Sequence, residues 1–270
     1  MYGIDVYDGD GRVDWAAVKN SGKTFAFVRA TEGVSIKDTA FARHWSVMKM
    51  NGIIRGAYHF FHPKTSDPVQ QAKEFIKTVG KFEPGDLPPV LDVESDDNGR
   101  ADATTIIKGM KLWLAEVEKA ILEQTGKKIK PIIYTAPYFW KDTVGNPPDF
   151  VDYPLWIAHY GVETPQVPAT WGGKNWLIHQ YAGDVSNIPG VSGDGDLNRF
   201  NTIQQTLSGS LIKDIQQRLK NLNKPEYDPG NVDGGFGLKT KNAIIAFQKA
   251  HNLQADGIVG VKTWVHLLWS

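Results

Sequence analysis

Along the first two hundred positions, short apolar runs alternate with amphipathic stretches. The runs are Gly3–Tyr7, Phe25–Ala30, Ile53–Phe61, Pro89–Glu94, Lys130–Thr135, Leu155–Tyr160, Trp176–Tyr181 and a weaker one over Asp194–Phe200. Each has the length and apolar content of a strand. Apolar residues at helical spacing lie between the early runs, over Asp14–Asn20, Thr39–Asn51, Asp67–Val79 and Asp102–Thr125. In the longest, Ile106, Ile107, Met110, Leu114, Val117 and Ile121 keep near-helical spacing, and Gly126 stands where such a helix ends. Strands alternating with helices predict a parallel sheet, and eight strands predict closure into a barrel. Beyond Tyr138 the helical stretches shrink. The expected fold is therefore α/β, an irregular TIM-like barrel of about five β/α units followed by three strands. A doubly wound sheet is the alternative, but no glycine-rich phosphate loop supports it.

The pattern then changes. Gln204–Ser210 is short and polar, which divides the chain into a barrel at 1–203, a linker at 204–210 and a tail at 211–270. In the tail, Leu211, Ile215, Leu219 and Leu222 mark one helix, Ala243, Ile244, Phe247 and Gln248 a second, and Thr263–Leu268 a short third. Asp233-Gly-Gly-Phe-Gly-Leu-Lys-Thr240 is echoed by Asp256-Gly-Ile-Val-Gly-Val-Lys-Thr263. In each copy an Asp-Gly turn leads to a threonine expected at a helix N-cap. Two copies predict a compact three-helix domain and are too few for a solenoid.

Composition narrows the partners. Lys plus Arg and Asp plus Glu are 30 each, so no global field favours nucleic acid or an anionic membrane. The absence of cysteine excludes disulfides, thiolate metal sites and cysteine nucleophiles. No apolar run is long enough to span a bilayer, so membrane insertion is not expected. Met1-Tyr2-Gly3-Ile4-Asp5 reads as the start of a strand rather than as a secretion leader. Nine Trp, nine Tyr and twelve Phe serve mostly to fill a core, and their number is also compatible with stacking on sugar rings.

The strongest chemical signal is Leu91-Asp92-Val93-Glu94. Two acids at i and i+2 of a strand leave the same face, with Cα atoms about 6.5 Å apart at a rise of about 3.3 Å per residue. They stand near the C-terminal end of an apolar strand, where β/α barrels carry their active sites. Asp5 in the first strand and Asp196 in the last become their neighbours if the sheet closes. Such a cluster suits glycoside hydrolysis, which needs a proton donor and negative charge beside an oxocarbenium-like transition state. The rival readings are an exposed strand edge, a salt-bridge partner and a divalent-metal site. His59, His62, His159 and His179 form no complete metal signature, and His59 and His62 have opposite strand parity. Neither metal nor cofactor is expected. No Gly-x-Ser-x-Gly elbow is present for serine hydrolysis.

Seven segments, Met1-Tyr-Gly-Ile-Asp5-Val, Phe27-Val-Arg-Ala-Thr-Glu-Gly33, Gly56-Ala-Tyr-His-Phe60, Leu91-Asp-Val-Glu94, Ile133-Tyr-Thr135, Leu155-Trp-Ile-Ala158 and His179-Gln-Tyr181, occur in one order. Over residues 1–203 this order resembles glycoside hydrolase family 25, the Chalaropsis-type lysozymes of phage endolysins and bacterial autolysins. The resemblance implies a (β/α)5β3 barrel and a catalytic quartet of Asp5, Asp92, Glu94 and Asp196. It implies Glu94 as the general acid at the bond between N-acetylmuramic acid and N-acetylglucosamine, and Asp92 as the group that orients the sugar and stabilises positive charge. Attack by the acetamide oxygen and attack by water both remain open. Tyr134 is implied near the acetamide, while Tyr58, Trp156, Tyr160 and Tyr181 are candidate sugar-binding surfaces with core packing as the equal alternative. Arg29 is assigned no role. Residues 211–270 resemble the small peptidoglycan-binding domain of type 1, through Ile215-Gln216, Leu219, Asp233-Gly-x-Phe-Gly237, Thr240, Ala243, Phe247-Gln248, Asp256-Gly-Ile-Val-Gly260 and Thr263-Trp264. The expected partner is bacterial peptidoglycan, bound by a monomer acting at the cell wall. A phage endolysin made in the host cytoplasm is expected, with a secreted autolysin and a non-catalytic wall-binding lectin as alternatives.

Overall fold

The computed structural model describes residues 1–94, 101–204 and 209–270. The chain divides into two compact units, Tyr2–Arg199 and Phe200–Ser270 with Met1.

In the first unit the elements run β1 (Tyr2–Val6), α1 (Trp15–Asn20), β2 (Lys23–Glu32), β3 (Ile36–Lys37), α2 (Phe41–Met50), β4 (Ile54–Phe60), α3 (Pro68–Val79), β5 (Val90–Asp92), α4 (Ala103–Thr125), β6 (Ile132–Thr135), α5 (Pro137–Phe139), β7 (Leu155–Ala158), β8 (Ile178–Ala182) and β9 (Asp196–Phe200). The sheet order is β1-β9-β8-β7-β6-β5-β4-β2-β3, and a further β1–β2 pairing closes it into an eight-stranded barrel with β3 outside. Neighbours from β1 round to β8 are parallel. β9 runs antiparallel to β1, with Asp196 directly opposite Asp5. Five β/α units followed by three strands is the expected architecture. The two-residue β3, a hairpin on Thr31 and Glu32, was not expected.

The helix starts follow from local chemistry. Asp14, Asp67 and Asp102 each accept backbone N–H bonds as N-caps of α1, α3 and α4, and Pro68 opens α3 where its missing N–H costs nothing. α4 ends at Gly126, whose φ of 69° is cheap only without a Cβ. After β6, α5 lasts three residues before a π turn over Trp140–Val144, so the outer layer thins where the sequence pattern does. Inside the barrel, the Phe27 and Trp156 rings stack with centroids 4.5 Å apart. Gly56 clears the space for them, since a Cβ there would fall 2.2 Å from the Phe27 ring.

The second unit holds α6 (Ser210–Asn221), α7 (Leu238–Ala250) and α8 (Val261–Trp269) around Ile212, Ile215, Leu219, Ile244, Phe247 and Trp264. Thr240 and Thr263 are not the N-caps. Gly237 and Gly260 cap α7 and α8 in extended conformation, and both threonines are third residues of their helices. The reason is that each buried hydroxyl is engaged inward, by the side-chain amides of Gln216 and Gln248. Of the expected linker Gln204–Ser210, residues 205–208 lie outside the described residues, and Ser210 already belongs to α6.

Candidate active site

β5 ends at Asp92 rather than at Glu94, and Val93 N–H still bonds the Tyr134 carbonyl at 2.9 Å. Glu94 therefore stands at the mouth of the barrel, just past the strand end. It shares one cavity with Asp5, Asp92 and Asp196, each arriving on a different strand apart from the Asp92–Glu94 pair. Among the described residues, Tyr7, Arg29, Tyr58, Phe60, Tyr134, Trp156 and Gln180 also line it.

Gln180 is the centre of the polar network. Its amide N–H groups donate to both Asp5 carboxylate oxygens at 3.0 and 3.2 Å and to Asp196 Oδ2 at 2.9 Å. Its oxygen accepts the Tyr134 and Tyr160 hydroxyls, each at 2.8 Å. Asn198 donates to Asp5 Oδ1 at 2.6 Å and accepts the Trp156 indole N–H at 2.8 Å. Asp196 takes the Asp184 backbone N–H at 2.8 Å. By contrast, Asp92 Oδ1 is buried with no hydrogen-bond partner among the described residues. An unpaired buried oxygen costs about 1–3 kcal/mol.

Confinement of four acids in one cavity raises their proton affinity. Burial and the Asp196 charge push Glu94 up to about 7. Burial and the neighbouring carboxylates hold Asp5 and Asp92 well above the usual carboxylate range, and burial raises Asp196. Arg29 opposes this at Asp92. Its guanidinium is fixed by Asp38 at 2.7 Å and Glu32 at 2.8 Å, and it lies 4.6 Å from the Tyr7 ring centroid.

Of the five predicted sugar-binding aromatics, Tyr58, Tyr134 and Trp156 line the cavity, though Trp156 is 2% exposed and forms its floor. Tyr160 is exposed and reaches the site through its bond to Gln180. Tyr181 does not line the cavity. It alternates with Gln180 along β8, so its ring leaves the opposite face and packs edge-on against Tyr2. The histidines are engaged elsewhere. His59 is buried between Thr31 and Gln71, His62 bonds Glu32, His159 accepts the Gln166 N–H, and His179 bonds the His159 carbonyl. Burial lowers His59 to about 4, so it stays neutral.

Sequence reasoning missed Gln180, Asn198 and Arg29. Asn198 follows Asp196 by two residues and so shares its strand face, a parity signal that was available. Gln180 lay inside a quoted motif but gains its meaning only from pairing across strands.

Residues 4–191 match the family described as "Glycosyl hydrolases family 25", and residues 208–267 match "Putative peptidoglycan binding domain". Lysozyme M1 of Streptomyces globisporus is 35% identical over 204 residues, 74% of this chain and 68% of that protein. The autolytic lysozyme of Clostridium acetobutylicum is 32% identical over 275 residues, 97% of this chain and 77% of that protein. Among solved structures, the bacterial lysozyme of Streptomyces coelicolor superposes with a TM-score of 0.65 at 33% identity, over 74% of this chain and 92% of the other. The barrel and its acids define a glycoside hydrolase. The chain belongs to glycosyl hydrolase family 25.

Proposed function

We propose that this chain is an N-acetylmuramidase, a lysozyme that hydrolyses the β-1,4 bond between N-acetylmuramic acid and N-acetylglucosamine in bacterial peptidoglycan. The observation that carries this is a carboxylic acid held neutral to about pH 7 at the mouth of a cavity whose other acids surround it, in a family 25 chain. Glu94 delivers its proton to the bridging oxygen. Asp92 faces the positive charge that develops on the sugar, and its unpaired Oδ1 accepts the acetamide N–H. Gln180 and Asn198 keep Asp5 and Asp196 in place. Tyr58 and Tyr134 form walls for the sugar ring, with Tyr134 beside its acetamide. The tail tethers the barrel to the wall, which raises the effective substrate concentration without adding a catalytic contact.

The test is mass spectrometry of peptidoglycan digested by wild type and by Glu94→Gln. New reducing ends on muramic acid from the wild type, and none from the variant, support the assignment. Reducing N-acetylglucosamine ends would sink it, and intact walls with both proteins would leave only a binding protein.

We further read the chain as a phage-type lytic enzyme. The joining of a family 25 match and a peptidoglycan-binding match in one chain supports this reading. Expression inside a bacterium should lyse the cell when a membrane-permeabilising protein is co-expressed. Equal lysis without that partner would contradict the reading.

A further inference from the structure

The second unit uses one frame twice. In the first copy the Gln216 amide donates to Asp233 Oδ1 at 3.2 Å, the Gly235 carbonyl at 2.9 Å and the Thr240 hydroxyl at 3.1 Å, and its oxygen accepts the Gly234 N–H at 2.8 Å. In the second, Gln248 makes the same four bonds, to Asp256, Ile258, Thr263 and Gly257, at 3.3, 2.9, 3.2 and 2.9 Å. The copies differ in the chain between the glutamine and the aspartate. That separation is 17 positions in the first copy and 8 in the second. The longer connection brings Pro229, Gly230 and Asn231 up as one wall of a cleft of about 600 Å³, with Asp233 to Thr240 as the other. That volume is in the range of about 300–1,000 Å³ typical of ligand sites.

The cleft is chemically mixed. Asn231, Asp233, Leu238 and Lys239 are all exposed. Among the described residues the Lys239 ammonium and the Asn231 amide have no hydrogen bond or ion pair. Asp233 commits Oδ1 to Gln216 and to the Gly235 N–H, and among the described residues Oδ2 takes no hydrogen bond. Leu238 is 66% exposed and puts an aliphatic surface in the lining of the cleft. Among the described residues of the lining, the one aromatic ring, Phe236, is buried at 6% exposure and offers no open face for a sugar to stack on.

One carboxylate, one ammonium, one amide and one aliphatic surface match a short peptide that carries both charges. We propose that this cleft binds the peptide stem of peptidoglycan, taking its carboxylate at Lys239, its side-chain amine at Asp233, a backbone amide at Asn231 and an aliphatic side chain on Leu238. The proposal rests on the reading of the tail as a wall anchor and names the part of the wall that it grips.

The test uses the full chain carrying Glu94→Gln, so that walls are not consumed. Calorimetric titration with a synthetic stem tetrapeptide, bearing a free side-chain amine and a free terminal carboxylate, should show one site. Lys239→Glu should weaken it at least tenfold, and Asn231→Ala should weaken it less. Lys262 holds the equivalent position in the second copy, and Lys262→Glu should leave affinity unchanged. Amidating the peptide's carboxylate should reproduce the Lys239→Glu loss, and combining the two should add little to it. Equal affinity in Lys239→Glu and Lys262→Glu would overturn the proposal. So would cosedimentation with purified walls without any peptide binding, which leaves the wall anchor standing. Failure to cosediment at all would remove both.

Discussion

Glu94 keeps its proton because burial and the Asp196 carboxylate both disfavour its charged form. A general acid must be protonated at the start of the step it catalyses, so activity should decline as pH rises through about 7. A rate–pH profile on a soluble glycan oligomer tests this, and a rate still rising at pH 8.5 would exclude Glu94 as the donor. Gln180 acts one step away, through the acids it holds. Its donation to Asp5 favours the ionised form, so Gln180→Leu should lower kcat by roughly ten- to a hundredfold, taking about 1.4 kcal/mol per decade, and should move the acid limb of the profile upward. A merely structural role would lower the amount of folded protein and leave that limb in place.

At the scale of elements, the barrel transmits packing to the site. A Cβ on Gly56 of β4 would push the Phe27 ring, which stacks on Trp156, whose indole holds the Asn198 that bonds Asp5. Gly56→Ala should therefore cost about 1–3 kcal/mol, as overpacking does, and also reduce kcat. Thermal unfolding with kinetics on the folded fraction checks both, and an unchanged melting temperature would contradict the packing. The same elements show what could be read in advance. The eight barrel strands and α1 to α4 were legible because each buries a periodic apolar face. β3 was not, since Ile36 and Lys37 have no period of their own and become a strand by pairing with Thr31 and Glu32 of β2. The starts of α7 and α8 were placed late because capping preferences favour threonine, while the true partner of each threonine is a glutamine on another helix. The acids were legible from strand-end position. The amides that position them were not, because they act across β8, β9 and β1.

For the whole molecule, the cluster links function to stability. Glu94 binds its proton up to about 7 in the folded state, against a reference of 4.5. Between those values the folded state holds more protons than the unfolded one, so stability falls as pH rises through this window. Gln is neutral at every pH. Glu94→Gln should therefore gain on the wild type across the window, by about 2 kcal/mol after allowance for solvent screening. That corresponds to roughly 4–8 °C in melting temperature at pH 8 and almost nothing at pH 4. A gain of equal size at both pH values would contradict the shift. The same variant shows whether Glu94 is the proton donor of a muramidase. The measurement is the initial rate of reducing-sugar release from purified peptidoglycan at pH 6 by wild type and Glu94→Gln. The expected result is a loss of about 10²–10⁴-fold, the usual contribution of a general acid; equal rates would contradict it.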